Sequence, residues 1–177
     1  MKAFLVLGGL LSVILMFLMQ NGSTGMSQKE AADIPFPEGY EQTYTNYLSL
    51  DRVQNHDQII RLFGNETAMG GVDENGELPY GSILVGEVYT AKKDAEGNVL
   101  TSSLGRRIKD QLVLIAVMQK EEGWGEEYSE ELKNGNWDFA AFKPDGKVAD
   151  KNLDACRACH APLAAEDHVF SIEHINQ

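Results

Sequence analysis

The 177-residue chain has two cysteines, Cys156 and Cys159, and His160 follows them directly. Residues three and four apart share one side of a helix, so a helix here presents both thiols and the imidazole together. Two thiols at this spacing can each add to a vinyl group of a haem, and the adjacent imidazole can ligate the iron. The run Cys156-Arg157-Ala158-Cys159-His160 is therefore expected to carry one c-type haem. Cys156 and Cys159 are the expected thioether attachments, and His160 is the expected axial iron ligand. Other chemistries need more than the run provides. Zinc would need two further ligands, and only His168 and His174 follow to complete such a set. A thioredoxin-like redox pair would follow a strand and open a helix near a βαβ pattern, not lie at the far C-terminal end. A plain disulfide is the remaining alternative in an oxidising compartment.

The position of the motif bears on the iron's other face. Only 17 residues follow His160, and none is Met. A sixth ligand must come from upstream or be missing. Met69 and Met118 are the upstream candidates; Met118 lies in the most apolar run and reads as core packing, whereas Met69 lies beside glycines. His56, His168 and His174 read as surface histidines. The expectation is an iron with one open face, which binds a small diatomic molecule or an oxidisable substrate. Distal polarity and access decide which. A pocket carboxylate would act as a proton acceptor and support oxidation. Glu87 is the acidic residue to consider, although alternation along a strand ordinarily turns such a residue to solvent.

The elements around the motif follow from composition and punctuation. Lys2 precedes an apolar run from Ala3 to Met19, followed by small polar residues, which is the pattern of a secretory signal. Residues 1–25 are expected to be a cleaved leader or an uncleaved N-terminal anchor, since about 17 apolar residues approach a membrane span. Residues 26–177 then form the domain, in the periplasm. The formal charge of −12 disfavours nucleic acid and anionic lipid as partners and suits a basic protein partner.

Within the domain, Tyr40–Leu50 and Gln54–Phe63 each allow helix or extended chain. Ser82–Ala91 is rich in Ile, Leu, Val and Tyr and follows a Pro-Tyr-Gly turn, as a strand would. Gln111–Gln119 is a continuous apolar run, as in a strand buried on both faces. Trp137–Phe142 suits a third strand, with Trp137, Phe139 and Ala141 alternating with their neighbours. The glycine-containing acidic stretch between the last two is a loop, and Asp150–Ala165 is helical around the cysteines. Strands first and a helical end give an α+β fold, mainly an antiparallel sheet with a C-terminal haem-binding helix.

Several stretches in this order are similar to a known family. They are Phe36-Pro37-Glu38-Gly39-Tyr40, Leu78-Pro79-Tyr80-Gly81-Ser82-Ile83-Leu84-Val85, Val117-Met118-Gln119-Lys120 and Asn136-Trp137-Asp138-Phe139. Cys156–His160 and Asp167-His168-Val169-Phe170 complete the set. The chain resembles the cytochrome P-460 family, which includes the β-type cytochromes c′. The resemblance implies a mainly β fold, usually dimeric, with His160 as sole proximal ligand and a vacant distal side. Some members oxidise hydroxylamine through a haem cross-linked to a lysine; the β-type cytochromes c′ bind nitric oxide or carbon monoxide. The strand matching the cross-linking position is Ile83–Tyr89, which contains no lysine; Gly86 or a neighbour stands there, and Lys92 and Lys93 lie beyond it. This departure tilts the expectation toward binding of nitric oxide or a similar small molecule. Hydroxylamine oxidation and electron transfer through a Met-ligated iron, with a redox protein partner, are the alternatives.

Overall fold

The computed structural model describes residues 34–175, so the leader expected at residues 1–25 lies outside the described residues. The elements, in order, are α1 (Tyr40–Thr43), β1 (Thr45–Asp51), β2 (Gln58–Gly64), α2 (Glu66–Met69), β3 (Ile83–Ala91), β4 (Lys109–Lys120), β5 (Trp137–Phe142) and α3 (Leu153–His160). Two short 3-10 turns, Ala164–Glu166 and Ile172–His174, follow α3. The strands pair antiparallel as a meander in the order β1-β2-β3-β4-β5. This is the expected α+β fold with a mainly antiparallel sheet and a C-terminal helix.

The two ambiguous segments resolve through their punctuation. Gly39 takes φ 70°, which a side chain disfavours, and turns the chain into a single helical turn before β1 starts. β2 begins after the Asn55–Gln58 turn, where Ile59 and Ile60 meet Tyr89 and Val88 of β3.

The sheet has two differently covered faces. On one, Phe63, Val85, Ile115, Val117, Ala140 and Phe142 pack under Ile34 and Tyr40 of the N-terminal segment. On the other, Leu84 and Trp137 pack with Ala68 of α2 and with Val169 and Ile175 of the C-terminal segment. Phe139 and Ala141 pack with Leu153 of α3. β4 differs from the expectation of a strand buried on both faces. Ile115 and Val117 are buried, but Leu114, Ala116 and Met118 are half-buried, because the second face is only partly covered.

Glu87 also departs from expectation. It is 0% exposed, on the first face, under the N-terminal segment rather than toward solvent. Tyr40 and Tyr89 each donate a hydroxyl hydrogen bond to it at 2.9 Å, and Arg61 Nη1 lies 3.3 Å away. A buried carboxylate is tolerated because these three donors replace its water.

Candidate functional site

α3 places the motif as its spacing predicts. Asn152 caps the helix, its side chain accepting from the Asp154 N–H at 3.0 Å, and Leu153 anchors it in the core. Cys156, Cys159 and His160 then fall within one helical turn. Both thiols are free: Cys156 is half-buried against the Phe139–Ala141–Leu153 cluster, and Cys159 is exposed. Burial pushes the Cys156 thiol up from its ordinary value, so it stays protonated in the chain as it stands.

His160 is fixed from three sides. Its ring packs edge-on against Phe139 at 5.1 Å and Phe170 at 4.8 Å. Its Nδ1 lies 2.8 Å from the backbone carbonyl of His168. A carbonyl only accepts, so Nδ1 carries the proton and Nε2 keeps its lone pair. Burial lowers the pKa of the ring, which favours the neutral form that a metal requires. A ligating histidine whose other nitrogen donates to a fixed acceptor has its tautomer and orientation set in advance.

The acceptor is itself held in an unusual turn. Asp167 and His168 have φ 48° and 59°, two successive non-glycine residues in the left-handed region. Such backbone persists where surrounding contacts over-determine it. Here Lys120 Nζ donates to both Asp167 carboxylate oxygens, at 2.9 and 3.0 Å, and Asp167 Oδ2 accepts from the Leu78 N–H at 2.9 Å. His168 Nδ1 lies 3.2 Å from the His160 carbonyl, so Asp167 and His168 form a strap tied back to α3. His168 is only 9% exposed, which corrects the expectation of a surface histidine. Its burial follows from its ring lying against Gly135 and beside the His160 carbonyl at the end of α3.

A second ion pair fastens α3 to the sheet. Arg157, 2% exposed, donates to Asp138 of β5 through Nη2 at 2.7 Å and Nε at 3.2 Å, and to Asp154 through Nη1 at 2.9 Å. Its guanidinium also lies over Tyr128, 4.3 Å from the ring centre.

Beside Cys156 the sheet forms an apolar trough. The register lines up Leu62, Gly86, Ala116 and Ala141 across four strands. Flanking rows carry Ile60, Val88 and Leu114 on one side and Leu84, Met118 and Phe139 on the other. A glycine and two alanines thus floor the middle of the face, flanked by half-buried Ile60, Leu62, Leu114 and Met118 and by buried Val88, Leu84 and Phe139. Ile60 and Leu62 lean over Gly86: a Cβ there would stand 3.2 Å from Ile60 Cδ1 and 3.4 Å from Leu62 Cδ2. A shallow apolar surface next to two thiols and an imidazole with one available nitrogen fits a planar porphyrin.

The other residues singled out in the sequence fall elsewhere. Met118 packs among the core clusters on the trough face, as a core residue does. Met69 ends α2, its sulfur close against Gly64. His56 is exposed on the β1–β2 turn, and His174 lies in the last 3-10 turn beside Glu173. Glu87 faces the opposite side of the sheet from the trough. Lys93 pairs with Asp57 beyond the end of β3, and Lys92 is exposed. Among the described residues, no three His, Cys, Asp or Glu side chains converge to hold a metal ion by themselves. The strap, the Arg157 anchor and the trough were missed by sequence reasoning. Gly86 within a strand was the one available signal, since such a glycine marks a close approach.

The chain is matched over residues 37–171 by the family model described as Cytochrome P460. No curated protein matches it.

Proposed function

Since the chain belongs to the cytochrome P460 family, which implies a haem-binding cytochrome, we propose that it is an exported mono-haem c-type protein that binds nitric oxide or a similar small molecule. The observation that carries the proposal is the pairing of His160, with its Nδ1 committed to the His168 carbonyl, with an apolar trough beside Cys156. Cys156 and Cys159 would hold the haem as thioethers, and His160 Nε2 would ligate its iron. When bound, the haem supplies an iron able to take a diatomic ligand. The chain's part is to fix His160 and to present apolar surface.

Binding is favoured over oxidation by what the trough-facing side of β3 carries: Leu84, Gly86 and Val88. None can cross-link to a porphyrin or accept a proton. The carboxylate of this strand, Glu87, is turned to the other face and held by Tyr40, Tyr89 and Arg61. The protein acts in the periplasm, delivered by its apolar leader, as a homodimer in keeping with its resemblance. Its acidic surface suits a basic redox partner that resets the iron.

Visible spectra of the reduced holoprotein, with and without carbon monoxide or nitric oxide, test this reading. The expected result is a high-spin spectrum that converts saturably on adding either gas. A low-spin spectrum indifferent to carbon monoxide would overturn it in favour of a sixth ligand from Met69 or Met118. A strongly red-shifted Soret band with a haem–lysine adduct by mass spectrometry would favour hydroxylamine oxidation.

A further inference from the structure

The sheet face opposite the trough carries a cavity of about 490 Å³ whose charge is opposite to that of the protein. The chain as a whole is at −12, yet Arg61, Arg106, Arg107 and Lys109 all line this one cavity, and Asp51 is its only acidic lining residue. Glu87 stands behind Arg61, 3.3 Å from its Nη1, and compensates one further charge. Four cations against two carboxylates leave the cavity with a net charge near +2.

The fold builds this concentration from separate segments. Arg61 projects from β2, with its guanidinium over Phe63 at 4.9 Å from the ring centre. Lys109 opens β4, with its ammonium over the Tyr89 ring at 4.2 Å; among the described residues it pairs with no carboxylate. Arg106 and Arg107 come from the return of the hairpin between β3 and β4. Arg107 is spent on structure on one side, its Nη1 donating to the Arg52 and Gln58 carbonyls at 2.9 and 2.8 Å. Arg106 holds Asp51 at 3.4 Å through Nε and the Ser49 carbonyl at 3.2 Å through Nη2, and it is half exposed.

We infer that this cavity binds an oxyanion, a phosphate group carried by a small molecule. Like charges brought together in a concave site repel one another unless a counter-anion enters, and a cleft focuses the field that attracts it. Arginine forks match the geometry of phosphate oxygens, and an ammonium adds a point charge. The cleft is open to solvent and wider than one phosphate, so a phosphate monoester can enter it head-first. The site lies across the sheet from the haem trough and does not depend on the haem assignment.

The test is a titration of the holoprotein at low ionic strength, followed by backbone amide shifts and by calorimetry. Inorganic phosphate and glycerol 3-phosphate are added in separate arms, with potassium chloride at matched ionic strength as control. The expected result is saturable binding localised to residues around Arg61, Arg106 and Lys109, tighter for the monoester. Arg106→Gln with Lys109→Gln weakens it by about tenfold or more, the scale of losing charge-assisted hydrogen bonds, while Lys133→Gln at a remote surface pair leaves it unchanged. Lys109→Gln alone, at an exposed position, gives a smaller loss in the same direction and keeps the test decisive should the double variant unfold. Shifts reproduced by potassium chloride, or unaltered in the variants, would overturn the proposal. So would a fall in oligomeric mass on removing the cations, because the cavity would then be filled by carboxylates of a second copy.

Discussion

Replacing Lys120 with Met is expected to cost the domain about 3–5 kcal/mol, the range found when one partner of a buried ion pair is removed. The pair it breaks has side chains only 2% and 5% exposed, so the Asp167 carboxylate would be left with the Leu78 N–H as its main partner. Glu77, which also meets Lys120 at 2.9 Å, is half exposed and can return to water. The loss should appear as a lower urea midpoint. Lys120→Met with Asp167→Asn should recover much of it, since an asparagine oxygen still accepts from Leu78 and no charge is stranded. The single variant should also alter the iron environment. Asp167 and His168 are held in the left-handed region partly by this pair, and the His168 carbonyl orients His160. A weakened urea midpoint with no recovery in the double variant would show that Lys120 acts through packing alone.

The second large effect is expected at Arg157, inside the motif itself. Arg157→Leu strands Asp138, which keeps the Phe139 N–H at 2.8 Å and the Tyr128 hydroxyl at 3.2 Å. It also removes the tie between α3 and β5 and the contact with Tyr128. A loss of about 3–5 kcal/mol is expected by the same reasoning. Arg157→Lys keeps a charge but not the fork that spans Asp138 and Asp154, so it should fall between wild type and Leu. Thermal unfolding of the three proteins at one pH checks the order. Equal stability of Leu and wild type would mean that the pair contributes nothing net.

Both residues illustrate what the sequence did and did not disclose. The motif was legible because its chemistry is local: two thiols and an imidazole within one helical turn depend on spacing alone. The last three strands, β3 to β5, were legible because β-branched and aromatic runs bounded by glycine and proline carry their own signal. Lys120 at the end of an apolar run and Arg157 between two cysteines look like ordinary surface charges, and their burial is decided by partners 47 and 19 residues away. Glu87 followed strand alternation onto the expected side, but the N-terminal segment covers that side. His168 lies in a stretch with no periodicity, so nothing local marked it as buried. The trough needed register: Gly86, Ala116 and Ala141 are unremarkable singly and form a floor only when β3, β4 and β5 pair as they do.

The proposed function stands on covalent attachment of a haem at Cys156 and Cys159. Its most direct test is to produce the protein with a c-type maturation system, denature it, and extract with acidified organic solvent. The haem of the wild-type chain should remain with the polypeptide, and its alkaline pyridine spectrum should be that of a porphyrin with both vinyl groups consumed. Cys156→Ala with Cys159→Ala should retain none. Haem that extracts freely from the wild-type chain, or that stays on the double alanine variant, would rule out attachment through these two thiols.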